Sequence, residues 1–427
     1  MSTTTNVFDL QRLDNGLRVL SADMPHVQSV TCMIMLAAGS RYETAETNGI
    51  AHFAEHMFFK GTERRPSARE IGMEVDSLGG EFNAFTSKEY TGYYVKCAAD
   101  YRERALDVLI DMIRNSKFDP EEIEREKGVI VEEMNMYYDT PRDFIGGVYE
   151  RLLYGDQPLG WDIIGKKETV RAATRETFFD YTGRWYKPER MVVGVAGRLD
   201  ADYLETIESL LGDLEAESTG APPATVQNGG GNQVVIHHKD SDQAHLCLGV
   251  PSYPLDHPDR WAVQLLATVL GTGMSSRLFT EVRERRGLAY YVYAHNQSYT
   301  DAGSLYSQAG VDIARSEEAV ETIVREFRRI AEEPVPAEEL EKARALAKGR
   351  FVLRLENPQG MIVYGLAREV LGDPVLEPQE VLAGLDAVTA EDVQRVAQDV
   401  IGPTGLNLAL IGPFEDEAPF EKLLVEA

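Results

Sequence analysis

The sequence predicts an α+β protein of two homologous halves, each a largely antiparallel sheet packed with helices, in a clam-shell arrangement. Three observations lead there. One order of strands and helices occurs twice. A stretch rich in Pro, Gly, Ser and Thr separates the two copies. At 427 residues the chain is long enough for two or more cores, at roughly 100–200 residues per domain.

In the first copy GLRVLSADM and SVTCMIMLAAGS read as strands, and NGIAHFAEHMFFKG and SAREIGMEVDSLG as helices. A long strand, EFNAFTSKEYTGYYVKC, follows. The second copy runs QVVIHHK, AHLCLGVPS, DRWAVQLLATVLG, SSRLFTEVRERRG and LAYYVYAHNQSYTDAGSLYSQAGVD in the same order. Each then passes through amphipathic helices to an apolar strand, RMVVGVAGRLD or LNLALIGPFED. The expected division is 1–213, a linker over 214–232, and 233–427. Gly229 to Gly231 precede a strand with no helix after it, so they do not read as a nucleotide loop.

With 43 basic and 70 acidic side chains the net charge is −27. Phosphate repulsion then argues against nucleic acid or an anionic membrane as partner. No apolar run approaches the roughly 18 residues of a membrane span, and MSTTTNVFDLQRLDNG lacks the basic and apolar regions of a secretory signal. Cys32, Cys97 and Cys247 are odd in number and widely spaced, as buried reduced thiols would be. The expected home is cytoplasmic.

The segment from Asn48 to Gly61 carries chemistry. Thr47 or Asn48 can cap a helix there, and Gly61 suits its left-handed exit. Ile50, Phe53, Ala54, Met57 and Phe58 have the spacing of a buried face. His52, Glu55 and His56 lie on an adjacent stripe. Four residues are about 400° of turn, so the two imidazoles project about 40° apart and can share an ion. Glu55 projects beside them and can serve as general base without binding the metal. This is HxxEH, the reverse of the commoner HExxH.

Two imidazoles are half a site, since a catalytic zinc takes three protein ligands and keeps one position open. The best source of the third is DPEEIEREKGVIVEEMNMYY, where Asp119 and Pro120 start a helix. Glu126 and Glu133, seven residues apart, share one face, while Glu132 points away. Periodicity leaves open whether either acid does more than solvate the helix. HHKDSDQAH offers His237, His238, Asp240, Asp242 and His245, but adjacent strand residues face opposite ways and cannot readily chelate together.

These residues resemble the pitrilysin or insulin-degrading type of inverzincin metallopeptidase, and most of all its mitochondrial processing peptidase β-like branch with bacterial relatives. The resemblance covers essentially the whole chain. The family pattern adds a glutamate ligand about seventy-five residues after HxxEH; here the interval from His56 to Glu133 is 77, which implies Glu133 as third ligand and Glu126 as a residue tuning the site. GGEFNAFTSKEYTGYYV is similar to the family's substrate-binding edge strand, with Asn83, Ala84 and Phe85 where substrate backbone would pair. VRERRGLAYYV is similar to its Arg/Tyr pair, implying that Arg283 and Tyr290 reach the substrate carbonyl. Aligning Gly271 with Gly61 places Ala262, Leu265 and Leu266 at the metal positions of the second half, so one zinc ion per chain is implied.

The implied activity is a zinc-dependent endopeptidase acting on peptides or unfolded polypeptide segments. Relatives that divide the zinc motif and the Arg/Tyr pair between two subunits make a homodimer the expected assembly for a chain carrying both. The rivals are a non-catalytic subunit acting as scaffold or partner, and a zinc hydrolase of some non-peptide bond.

Overall fold

A computed structural model describes residues 6–200, 202–216, 220–226, 231–402 and 405–426. They form two compact units, each a mixed, mostly antiparallel sheet packed with helices. The first sheet contains β1 (Asp9–Arg12), β2 (Arg18–Asp23), β3 (Ser29–Leu36), β4 (Glu81–Thr86), β5 (Thr91–Ala98) and β6 (Met191–Gly197). The second contains β7 (Gln233–His238), β8 (Ala244–Pro251), β9 (Ala289–Ser298), β10 (Gly303–Val311) and β11 (Asn407–Gly412).

The strand orders are β1-β2-β6-β3-β5-β4 and β7-β11-β8-β10-β9. Without β1 they are the same topology: the last strand of each copy inserts beside its first, in parallel, and every other pairing is antiparallel. The repeat read from element order is therefore a repeat of connectivity. β1 gives no hydrophobic signal because all four of its residues are exposed. The inserted strands β6 and β11 are wholly buried and read as continuous apolar runs.

The compact units differ from the contiguous halves. The first comprises the described residues of Met1–Met134, Asp162–Pro223 and Val352–Pro378; the second, those of Asn135–Trp161, Ala224–Phe351 and Gln379–Ala427. The helix Pro358–Val370 packs on β6 so closely that a Cβ at Gly194 would come within 2.5 Å of Ile362 and Leu366. The helix Pro141–Tyr154 buries Phe144, Ile145, Tyr149 and Leu153 with Cys247, Ala409 and Ile411. An amphipathic pattern says that a helix covers a sheet, not which sheet. Of the linker, 217–219 and 227–230 lie outside the described residues, and 220–226 carries no helix or strand.

EFNAFTSKEYTGYYVKC is not one strand. β4 and β5 are a hairpin whose turn closes where the Ser87 N–H donates to the Tyr90 carbonyl (2.9 Å). Lys88 and Glu89 in that turn are both buried. β4 is an edge strand, paired with β5 on one side. Residues Phe279–Arg285, read as part of an ordinary helix, form a π-helix. Cys32, Cys97 and Cys247 are buried free thiols. No helix among the described residues is long and apolar enough to cross a membrane.

Candidate metal centre

The centre is built on α1 (Ile50–Phe58), followed by α2 (Ala68–Ser77), α3 (Arg102–Asn115) and α4 (Pro120–Asp139). Ile50, Phe53, Ala54, Met57 and Phe58 are all buried, and this apolar face fixes the roll of α1 and hence the direction of His52, Glu55 and His56. The helix ends at Phe58 with Phe59 as a right-handed cap, so Gly61 lies beyond the exit expected of it. Its φ is +128° and a Cβ there would lie 2.5 Å from the Pro66 carbonyl oxygen, so the turn that follows requires glycine.

Neither Thr47 nor Asn48 caps α1. Buried Glu43 takes its unpaired amides, accepting from Ala51 N (2.7 Å), Gly49 N (2.8 Å) and Asn48 Nδ2 (2.9 Å). A carboxylate suits the positive end of a helix. Burial nevertheless pushes this carboxyl up to about 8 against the lowering by those donors. The Thr47 hydroxyl instead accepts from Thr44 N (3.1 Å).

The imidazoles lie 4.7 Å apart at 68°. His52 Nε2 is 3.7 Å from Glu133 Oε1, and His56 Nε2 is 3.5 Å from Glu133 Oε2. The three ligand atoms of His52, His56 and Glu133 fall within 4.8 Å of one another, the single such cluster of three among the described residues. Two ligands of a tetrahedral zinc, each 2.0–2.1 Å from it, stand about 3.4 Å apart, so these spacings fit that ion. The donor set of two imidazoles and a carboxylate fits it too. Burial, helped by His56, pushes His52 down to about 3, which keeps the ring neutral and free to bind.

Glu126 does not reach that cluster. Its Oε1 is 2.9 Å from His56 Nδ1 and its Oε2 is 2.6 Å from Lys60 Nζ, with the side chain only 5% exposed. Burial would raise this carboxyl, but the hydrogen bonds from His56 and Lys60 outweigh it and hold the group below its usual range. The bond to Nδ1 leaves Nε2 as the outward nitrogen of His56. Glu55 stands in a different setting. Thr86 Oγ1 donates to its Oε2 at 2.5 Å, while burial, reinforced by Glu133, raises its carboxyl.

Glu43, Lys60 and Thr86 were not singled out from sequence. Lys60 had a signal, since it lies four residues after His56. Thr86 had none, because its contact depends on where a hairpin sits against α1.

Asn83, Ala84 and Phe85 lie in β4, opposite Tyr94, Tyr93 and Gly92. Asn83 Oδ1 accepts from the Ala84 N–H at 2.8 Å. In the second unit Arg283 and Tyr290 meet: the π-helix presents the guanidinium 5.8 Å from the Tyr290 ring centroid and 4.8 Å from that of Phe279. Tyr290 is 73% exposed. The histidines of HHKDSDQAH have separate partners. His237 meets the Phe144 ring, His238 the Phe414 carbonyl and His245 the Tyr291 hydroxyl.

Residues 18–166 match the insulinase family, peptidase family M16, and residues 172–346 match the M16 inactive domain. The second match spans Ala262, Leu265 and Leu266, where the second half lacks the metal residues. The chain is 37% identical over 401 residues to the uncharacterized zinc protease YmxG of Bacillus subtilis, covering 93% of this chain and 97% of that protein. It is 34% identical over 416 residues to an uncharacterized zinc protease of Streptomyces coelicolor, covering 95% and 89%. A solved protease from Helicobacter pylori has the same fold, with a TM-score of 0.88 at 22% identity over 96% of this chain and all of that one.

Proposed function

This chain belongs to the M16, or insulinase, family of peptidases, and from that premise we propose that it is a zinc-dependent endopeptidase cleaving peptides or unfolded polypeptide segments. One observation carries the reading: His52, His56 and Glu133 converge at ligand spacing with a carboxylate, Glu55, beside them.

His52 and His56 present Nε2, and Glu133 its carboxylate, as the three ligands. Zinc held there supplies a Lewis acid that polarises the peptide carbonyl and makes water more acidic. Glu55, its Oε2 held by the Thr86 hydroxyl, takes the proton from the attacking water and later delivers it to the leaving amine. Glu126 holds His56 in the productive tautomer. Arg283 and Tyr290 are the oxyanion donors. Substrate lies extended along the free edge of β4, pairing backbone with Asn83 to Phe85, so recognition reads main chain more than sequence. The active assembly is a homodimer.

The test is a quenched peptide library offered to the zinc-loaded protein and to Glu55→Gln. The reading expects cleavage by the first and its loss, with zinc retained, in the second. A chain that binds zinc and cleaves nothing would instead be a non-catalytic partner.

A further inference from the structure

We propose that Thr86 is the positioning residue of Glu55 and ties the general base to the strand on which substrate lies; this rests on the peptidase reading above. Thr86 is the last residue of β4, and its hydroxyl donates to Glu55 Oε2 at 2.5 Å. A carboxylate has no donor of its own when ionised, so a donor supplied by the fold restrains how the group turns. With Oε2 held by the threonine, the Glu55 carboxylate keeps a set direction.

The contact is built, because one short segment fixes both of its ends. Ser40 N donates to the Ser87 carbonyl (3.2 Å) and Arg41 N to the Lys88 carbonyl (2.8 Å), pinning the turn directly after Thr86. The Arg41 guanidinium pairs with Glu89 at 2.6 Å, both side chains being buried. Two residues further on, Glu43 holds the first amides of α1. The segment 40–43 therefore sets the end of β4 and the start of the helix carrying Glu55 in one frame. Thr86 closes that frame across the gap.

β4 has a free edge, and a peptide adding to it at Asn83 to Phe85 orders the strand one residue before Thr86. The hydroxyl then passes that ordering to the base. A group acting this way affects turnover and leaves substrate binding and zinc binding alone.

Thr86→Val removes the hydroxyl at constant shape, Thr86→Ala removes it with less bulk, and Thr86→Ser keeps it. Each is measured for kcat and KM on a cleaved library peptide, for zinc affinity by chelator competition, and for melting temperature. The proposal expects kcat to fall ~10-fold or more in the Val and Ala variants, with KM within ~2-fold and zinc affinity at the wild-type value, and the Ser variant close to wild type. Wild-type kcat in the Val variant overturns it, as does a Ser variant as slow as the Val one, or a loss confined to KM. If the zinc-loaded wild type cleaves no peptide, the peptidase reading fails first, a result distinct from any of these.

Discussion

His56 Nδ1 lies 2.9 Å from Glu126 Oε1, and the same carboxylate pairs through Oε2 with Lys60, four residues further along. One buried acid thus holds a candidate metal ligand in a single orientation. Partners of ligating histidines commonly carry 10–100-fold in metal affinity. Glu126→Ala should weaken zinc by about that factor, read by competition with a chromophoric chelator. Glu126→Gln, which keeps an acceptor for Nδ1, should lose less. Equal affinity in both variants and wild type would remove Glu126 from the site.

Chelation should abolish cleavage and lower the melting temperature, and zinc should restore both. The linkage is mass action: at free zinc ~1,000 times Kd the native state gains ~4 kcal/mol. His52→Ala should show neither the thermal shift nor cleavage. A chelator-treated protein with unchanged melting temperature would speak against a resident ion.

Glu43 predicts a pH-dependent stability. Its carboxyl is raised from 4.5 to about 8 in the folded chain, chiefly by burial. Folding then takes up a proton between those values, so this group's contribution is complete below pH 4.5 and is lost as pH rises toward 8. The stability of wild type minus that of Glu43→Gln should fall across that window, by denaturant titration at several pH values. A difference that rises with pH would mean the carboxyl is ionised in the fold.

Gly194→Ala should destabilise the first unit. The added methyl would sit 2.5 Å from Ile362 and Leu366, and overpacking of this kind costs about 1–3 kcal/mol. Thermal melting checks it.

Glu55→Gln and Arg283→Ala should each be inactive alone. If the active assembly is a homodimer whose subunits share sites, mixing the two with subunit exchange should restore part of the activity. Exchange without recovery would refute shared sites.

Much of the candidate centre was legible in the sequence because helices turn distance along the chain into direction. HFAEH on a helix puts two imidazoles and a carboxylate on one stripe, and the buried Ile50, Phe53 and Met57 say which way that stripe faces. Glu126 and Glu133 were legible as a face of α4, but not their roles. Periodicity gave both the same standing, whereas the fold sets Glu133 against both imidazoles and turns Glu126 to Nδ1 and Lys60. The pair Arg283 and Tyr290 came from resemblance alone, and the segment carrying Arg283, with buried Phe279 and Val282 three residues apart, reads as an ordinary helix where the fold makes a π-helix.

The sequence by itself determined the two sheet-and-helix copies, the buried face of α1 and the stripe that carries His52, Glu55 and His56, all properties carried by local spacing. Tertiary structure alone decided which sheet each amphipathic helix covers, that Glu43 caps α1, and that Thr86 holds Glu55. These contacts join residues from 8 to 172 positions apart, as Glu43 to Ala51, Thr86 to Glu55 and Gly194 to Leu366 show. No local period encodes such pairings; they exist only once apolar faces have packed and fixed where each loop and hairpin ends.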